Sequence, residues 1–513
     1  MAGRGLAAFL DDAGRLTPLR VPDLGGAAAQ AVTAIAYDSR AVVPGAVFVA
    51  LRGAHADGTA FVPQAIEQGA IAVVAERGPE SPVAVPWITA EDGRVALAAC
   101  GAMFYGNPSE EFTLVGVTGT NGKTTSTYLL EGVFRAAGMT SGRIGTTGYR
   151  VGDRERPAAR TTPEGPDLQR LLREMVDAGC TACAMEVSSH ALDLGRVAFT
   201  RFSAAIFTNL TRDHLDYHGD MESYFAAKRR LFEMLPPGAP AAINIDDPRG
   251  ARLLDIVDRP VTYAVTREAD VHPTSLSLTL AGIEADVRTP AGSLRLRTSL
   301  PGRPNAYNAL GVVATCVGLG IPLDAIAAGF EQAPPVPGRF EVVSGEADDI
   351  AVIVDYAHTD DALKNLLETV RALAPQHIVT VFGCGGDRDR TKRPLMGAVA
   401  ARLSDLVILT SDNPRSEDPA AIIEDIKRGL VPPERPSRHQ GQSVPAVQST
   451  PWLAIVDREE AIVQAVTEAR PGDVVIVAGK GHETTQTIGD RVLPFDDAKV
   501  ARAALRRRAG GAR

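Results

Sequence analysis

Residues 115–125, VGVTGTNGKTT, join a buried-strand pattern to glycines, a lysine and hydroxyls spaced for holding a phosphate. Leu114, Val115 and Val117 supply the apolar run of the strand. Gly119 and Gly122 let the backbone turn so that the N–H groups of the loop, Thr120 and Asn121 included, face one anion. Lys123 adds a mobile positive charge, Thr124 offers a hydroxyl to a Mg²⁺ ion, and Thr125 follows it. Tyr128, Leu129, Val133 and Phe134 recur at helical spacing before Gly138, so the loop opens at a helix N-terminus, where the dipole favours phosphate. The general spacing G-x-x-x-x-G-K-[ST] asks for glycine at position 117, and this chain has Val117 there. Together these features predict binding of ATP or a similar nucleotide.

A chain of 513 residues is too long for one hydrophobic core and implies two to four domains. Hydrophobic residues at 45% and charged ones at 22% are ordinary for a soluble globular protein. The net charge of −9 argues against general nucleic-acid binding, so an anionic substrate needs local clusters of Arg and Lys. No sustained apolar stretch precedes Asp11 and Asp12, which argues against a secretory signal. The longest uncharged run, residues 304–323, contains Asn305, Asn308 and Pro322 and reads as a buried helix rather than a membrane span. Five cysteines point to a reducing cytoplasm. Cys180 and Cys183 form a lone C-x-x-C with no second pair, which favours buried thiols over zinc.

The elements that must position these residues fall into three sections. Residues 1–105 are mixed, with short strands at 46–51 and 70–75 around a helix at 63–68. Residues 106–335 hold the phosphate loop, a helix at 168–178 and strands at 182–187, 204–209 and 241–245. Such βα alternation predicts a mostly parallel sheet with ligands at the carboxyl ends of its strands. The proline-rich stretch 333–338, APPVPG, is the linker candidate and the expected hinge for closure. In residues 336–513 the alternation restarts, with strands at 350–354, 378–382, 406–410, 453–456 and 474–477 and polar loops after several of them. The fold expected is α/β in three domains: a small N-terminal one, a central ATPase of the phosphate-loop type, and a C-terminal Rossmann-like one.

TGTNGKTT, MEVSSHAL, TNLTRDHLDYHG, DYAHT, FGCGGDRDRTKRPLMG, DNPR and GKGHE, in that order along nearly the whole chain, resemble the Mur ligase family of peptidoglycan synthesis, and within it the diaminopimelate-adding branch. The resemblance implies an N-terminal domain for a UDP-linked substrate, a central ATP-binding domain and a C-terminal domain that brings the amino acid. It implies that ATP phosphorylates the D-glutamate γ-carboxylate of UDP-N-acetylmuramoyl-L-alanyl-D-glutamate and that the amine of diaminopimelate attacks the acyl phosphate. Lys123 and His214 take catalytic roles by this resemblance, and Glu186 and His214 join Thr124 as Mg²⁺ ligands. Lys228, in YFAAKRRLF, reads from the sequence as part of a solvated basic face with Arg229 and Arg230. By resemblance it carries a carbamate that bridges Mg²⁺ near the γ-phosphate.

The same resemblance assigns Asn305, Arg339 and Asp355 to the nucleotide, with Pro304 standing where relatives have a bulky residue and Asp360 where proline is common. For the UDP-muramoyl dipeptide it gives Ser39, Thr161, Thr162, Ser188 and Arg196, with Arg160 where some relatives have asparagine. For the amino acid it gives Arg388, Asp412, Asn413, Pro414, Arg415, Gly479 and Glu483. Diaminopimelate has one carboxylate more than lysine, which Arg415 can pair with bidentately, while Asp412 and Glu483 suit ammonium groups. The alternatives are the same ligation with L-lysine or ornithine, a folylpolyglutamate-type ligase, and a phosphate-loop kinase or nucleotide switch. An oxidoreductase reading of GCGG at 383–386 is weak, because Arg388 stands where the third glycine belongs. A cytoplasmic monomer acting on small molecules, with neither nucleic acid nor membrane as partner, is expected.

Overall fold

Strand Thr113–Thr118 lies in the middle of the largest sheet, with Ala182–Glu186 on one side and Ala204–Phe207 on the other, both parallel to it. The register pairs Val117 with Glu186 and with Ile206, so three strand ends finish together at the loop that follows. The structure is a computed structural model that describes residues 4–53, 56–430 and 450–511. This sheet runs Arg259–Tyr263, Pro240–Asn244, Ala204–Phe207, Thr113–Thr118, Ala182–Glu186, Ser141–Gly145, and then an antiparallel extension, Gly148–Val151 and Arg154–Arg156. The first six strands are parallel. Their apolar residues are buried on both faces, as a sheet covered by helices on both sides requires.

Helices Lys123–Ala136 and Arg303–Gly318 cover one face of the sheet, and Gly165–Asp177 and Met221–Glu233 cover the other. The uncharged run 304–323 is therefore mostly one buried helix, and among the described residues no helix is long and apolar enough to cross a membrane. Cys180 and Cys183 are buried thiols flanking the start of Ala182–Glu186. A three-stranded antiparallel sheet, His272–Thr279, Gly282–Thr289 and Gly292–Thr298, adds its apolar face to the same core. It lies outside the strands expected above, although its alternation of apolar and polar residues is regular.

The N-terminal sheet orders Leu19–Arg20, Trp87–Ala90, Ala72–Ala75, Ala46–Val49 and Ala34–Ala36, with only the first strand antiparallel. The C-terminal sheet orders Glu341–Val342, Ala351–Asp355, Val474–Ala478, Ile378–Phe382, Leu406–Leu409 and Trp452–Ala454. Its last five strands are parallel, so their polar connections gather at one end. A separate hairpin, Thr485–Ile488 with Arg491–Pro494, lies beyond it. The linker stretch ends docked on this section, where Tyr356 N donates to Gly338 O at 2.9 Å.

Candidate active site

The phosphate loop runs from Thr118 to helix Lys123–Ala136. Gly119 has φ +146° and a Cβ there would lie 1.8 Å from Thr208 Oγ; Gly122 has φ +90° and a Cβ there would lie 2.1 Å from Asn308 Oδ1. Both glycines are thus required by backbone conformation and by close approach. Val117 is no defect in the motif, because that position is a fully buried strand residue and the turn begins only at Gly119. The loop is braced from the strand next door: Thr120 N donates to Asn209 O at 2.9 Å, Asn121 N to Asn209 Oδ1 at 3.0 Å, and Thr208 Oγ to Asn121 O at 2.6 Å. Lys123 Nζ donates to Gly119 O at 2.9 Å and Thr120 O at 2.7 Å, so its ammonium sits inside the curl of its own loop. Desolvation pushes its pKa down, with Glu186 and Asp213 opposing.

Glu186 is 1% exposed and accepts from Thr124 Oγ at 3.0 Å and Thr146 N at 2.8 Å. A buried carboxylate beside a hydroxyl at a helix N-terminus is a donor set that suits Mg²⁺ when phosphate oxygens and water supply the remaining ligands. Lys228 is also 1% exposed, which overturns the solvated-face reading; only its neighbours Arg229 and Arg230 point outward, to Glu233 and Asp193. Its Nζ donates to Gly119 O at 2.7 Å and lies 4.4 Å from the centre of the Tyr224 ring. Burial first, and then the Lys123 ammonium, hold its pKa well below that of an ordinary lysine. His214 has φ +54° and its side chain is 44% exposed, beside Asp213 at 3.3 Å and with its ring centre 4.8 Å from that of His190. Among the described residues no group of three or more His, Cys, Asp and Glu is placed to hold a metal; His214 and Glu186 border the same cavity.

Asn305 and Arg339 border the same cavity of about 310 Å³, with Asp355, Thr161 and Ser188. Asn305 Nδ2 donates to Pro301 O at 2.8 Å and Asn308 Nδ2 to Asn305 Oδ1 at 3.1 Å. Pro304 is the second residue of its helix, where a missing N–H costs no hydrogen bond, and Asp360 opens helix Asp360–Ala372, where a carboxylate complements the dipole. Both residues thus suit the helix starts they occupy. Asp355 is occupied structurally: its two oxygens accept Phe340 N at 2.6 Å and Ala357 N at 2.7 Å, fixing the chain after the linker.

A second cavity, of about 520 Å³, is bordered by Arg388, Asp412, Asn413, Arg415, Gly479 and Glu483. Pro414 does not border it. Arg415 has φ +51° and donates from Nη1 to Gly386 O at 2.7 Å, while Arg388 is exposed at the rim. Its backbone is clamped by the hairpin, Arg415 N to Thr487 O at 3.1 Å and Gly489 N to Arg415 O at 2.7 Å. Asp412 and Glu483 share Lys480, whose fully buried Nζ lies 3.7 Å from Asp412 Oδ1 and 3.0 Å from Glu483 Oε2. The two cavities have Asp213, His214, Tyr356 and His358 in common.

The residues expected at the dipeptide are brought together only in part. Thr162 Oγ donates to Glu186 O at 2.9 Å and accepts Ser188 N at 3.1 Å, and Thr161 Oγ lies 3.1 Å from Thr146 Oγ. The Ser188 hydroxyl caps helix Ser189–Asp193. Arg196 is held by Glu164, Nε to Oε1 at 2.9 Å. Ser39 is buried in the N-terminal section, donating to Gln64 Oε1 at 2.7 Å, and borders neither cavity.

Three stretches match descriptions within one family: "Mur ligase family, catalytic domain" over residues 31–105, "Mur ligase middle domain" over 117–316, and "Mur ligase, glutamate ligase domain" over 338–481. The UDP-N-acetylmuramoyl-L-alanyl-D-glutamate–2,6-diaminopimelate ligase of Geobacter metallireducens is 46% identical, covering 97% of this chain and 98% of that protein. The chain belongs to the Mur ligase family. The Geobacter sulfurreducens protein of the same name is 47% identical over 91% of this chain and 93% of its own. A solved structure bearing that ligase name superposes with a TM-score of 0.66 at 32% identity, over 97% of this chain and 99% of the other.

The Mur ligase motifs led to the loop tips and missed what supports them. Thr146 and Glu164 hold Glu186 and Arg196, Asn308 packs on the phosphate loop, and Lys480 and Gln486 hold residues 412–413. Lys480 stood inside GKGHE and Asn308 inside the uncharged run 304–323, so a signal existed for them. Glu164 carried one too, two residues after Thr162.

Proposed function

We propose that this Mur ligase joins diaminopimelate to the D-glutamate γ-carboxylate of UDP-N-acetylmuramoyl-L-alanyl-D-glutamate, converting ATP to ADP and phosphate. The observation that carries the reading is the shared wall of the two cavities at Asp213, His214, Tyr356 and His358. A carboxylate activated at the phosphate loop and an amine delivered from the Arg415 cavity would meet there. The names of relatives at 46–47% identity support the dipeptide and the amino acid. In this assignment residues 1–105 take the UDP end, 106–335 the nucleotide and 336–513 the amino acid. The work is placed in the cytoplasm and assigned to a monomer.

The chemistry has two displacements. A carboxylate oxygen attacks the γ-phosphorus and ADP leaves with the bond's electron pair. The acceptor amine then adds to the acyl carbon and loses a proton, and the adduct expels phosphate as the C–O bond breaks. Two anions must approach in the first step, so positioning and cationic stabilisation supply most of the rate. Backbone N–H groups of residues 122–125 receive the phosphates, Lys123 leaves its loop carbonyls for phosphate oxygens, and Arg339 reaches in beside Thr124. Glu186 and Thr124 would hold Mg²⁺, which when bound screens the phosphate charge. Lys228 is suited to carbamate formation because its environment favours the neutral amine: the lone pair bonds to CO₂, one proton leaves, and the remaining N–H can keep the bond to Gly119 O.

The deciding measurement is phosphate release by the purified enzyme with ATP and the UDP-muramoyl dipeptide, the amino acid being varied. Release that requires both the dipeptide and diaminopimelate is expected. Release indifferent to any amine would favour a kinase or nucleotide switch, and preferred turnover with lysine or ornithine would move the amino-acid assignment.

A further inference from the structure

Arg458 opens helix Arg458–Glu468, the end of a helix that disfavours a cation, and its side chain is 0% exposed. Asp497, at the start of helix Asp497–Gly511, is equally buried and takes a bidentate pair from it, Nε to Oδ1 at 2.8 Å and Nη2 to Oδ2 at 2.7 Å. The remaining reach of the guanidinium goes to two backbone carbonyls. Nη2 donates to Ala478 O at 3.0 Å and Nη1 to Ser411 O at 3.3 Å. Ala478 ends strand Val474–Ala478, and Ser411 lies two residues beyond strand Leu406–Leu409. These strands are not neighbours; Ile378–Phe382 runs between them, so one planar group ties together two loops across an intervening strand.

The next residues in the two loops are Gly479 and Asp412, both at the second cavity. Beyond them the loops are cross-linked again. Lys480 Nζ donates to Asn413 Oδ1 at 3.2 Å and Glu483 Oε2 at 3.0 Å, and Asn413 Nδ2 donates to Glu483 Oε2 at 2.7 Å. Asp412 Oδ1 has no hydrogen-bond partner although it is buried. A shift of the Ser411 carbonyl would therefore move Asp412 and Asn413, and through them Glu483. An ion pair whose only task was to glue two helices to a sheet would gain little from its charges, since desolvation cancels most of the attraction and apolar residues of similar volume serve as well.

We propose that Arg458 and Asp497 are positioning residues for amino-acid selection, setting the spacing between the loops at 412–415 and 479–483 without touching the substrate. The inference rests on the function proposed above.

The test uses the full-length enzyme and acceptor-dependent phosphate release. Replacing the pair together, R458M with D497L, removes both charges at similar volume and leaves the two carbonyls without their donor. The expected result is a KM for diaminopimelate raised about tenfold or more, a preference for it over lysine lowered to a similar extent, and KM values for ATP and dipeptide within about twofold of the parent. Unchanged acceptor KM and preference, or equal losses for all three substrates, overturns the proposal. If the double variant does not fold, R458K is read instead: its ammonium can pair with Asp497 but cannot span the carboxylate and both carbonyls in one plane. A raised acceptor KM in that variant supports the proposal, and a parental one overturns it. A parent enzyme that turns over with another amino acid and not with diaminopimelate overturns the functional reading alone, and the same KM comparison is then made with that amino acid.

Discussion

The guanidinium of Arg339 lies 4.3 Å from the centre of the Tyr356 ring and donates from Nη2 to the Thr124 hydroxyl at 3.3 Å. Arg339 follows the proline-rich linker, whereas Thr124 belongs to the phosphate-loop helix, so the contact joins the central and C-terminal sections at the proposed nucleotide site. Asn121 Nδ2 to Asp361 Oδ2 at 3.4 Å is a second such crossing. Arg339→Ala should lower kcat by about 10²- to 10³-fold or more, since removing one preorganised donor from a transition state costs about that much. Steady-state kinetics should show KM for the dipeptide nearly unchanged. A kcat within threefold of the parent would remove Arg339 from the chemistry.

Lys228 and Lys123 both donate to Gly119 O, which sets two amino groups against one carbonyl when neither is modified. Carbamate formation at Lys228 would place a negative charge beside the Lys123 ammonium. Lys228→Ala should therefore lose about 10³-fold in kcat, and a short carboxylic acid added to the assay should restore part of it. Full activity in the variant, or loss that no carboxylate repairs, would count against the carbamate.

The two lysines also mark the limit of what the sequence discloses. Lys123 was legible because its neighbours on both sides are a loop motif. Lys228 was not, since Arg229 and Arg230 beside it make a basic run that resembles a solvated face. A helical projection carried the correction: Tyr224 lies four residues before Lys228 and Leu231 three after, which places the lysine on the apolar face. The alternating strands and helices of the central and C-terminal sheets could be read from periodicity, and the expected strands at 182–187, 204–209, 378–382 and 474–477 match the observed ones to within two residues. The hairpin after GKGHE was passed over, although Gly489-Asp490 between two short β-prone runs is a turn signal. The Arg458–Asp497 pair had no local signal at all. Its partners are 39 residues apart and meet only after two helices dock on one sheet.

Arg415 adopts a left-handed backbone conformation that its bonds to Thr487 and Gly489 enforce, and one guanidinium nitrogen is tied to Gly386 O. The side chain is thereby presented to the cavity as a fixed cation, suited to a distal carboxylate. Lysine would leave it unpaired, at a cost of about 1–3 kcal/mol or more in a dry site. Arg415→Ala should lower the diaminopimelate-over-lysine preference by about 10²-fold, and Arg415→Glu should reverse it. Competition between the two amino acids in a single reaction reads the ratio directly, and an unaltered ratio in both variants would end the electrostatic account of selection.

Acid stability offers a prediction away from the chemistry. Asp246, its side chain 7% exposed, joins the end of strand Pro240–Asn244 to the loop after Arg259–Tyr263 and to helix Arg303–Gly318. It accepts Val265 N and Thr266 N at 2.8 Å each and Tyr307 Oη at 2.9 Å, with the Thr266 hydroxyl and Arg267 also in contact. Burial alone would raise its pKa, but these hydrogen bonds outweigh it and hold the carboxyl down at about 2. A depressed carboxylate contributes stability that is complete above its unfolded pKa, near 3.8, and is lost as pH falls through the folded value. The contribution is at most about 2.5 kcal/mol and nearer 1 after solvent screening. The melting temperature of the parent should therefore fall more steeply than that of Asp246→Asn between about pH 4 and pH 2, while near neutral pH the variant should be the less stable of the two. Parallel melting curves over that interval would show that the carboxylate is not held in its charged form by these donors.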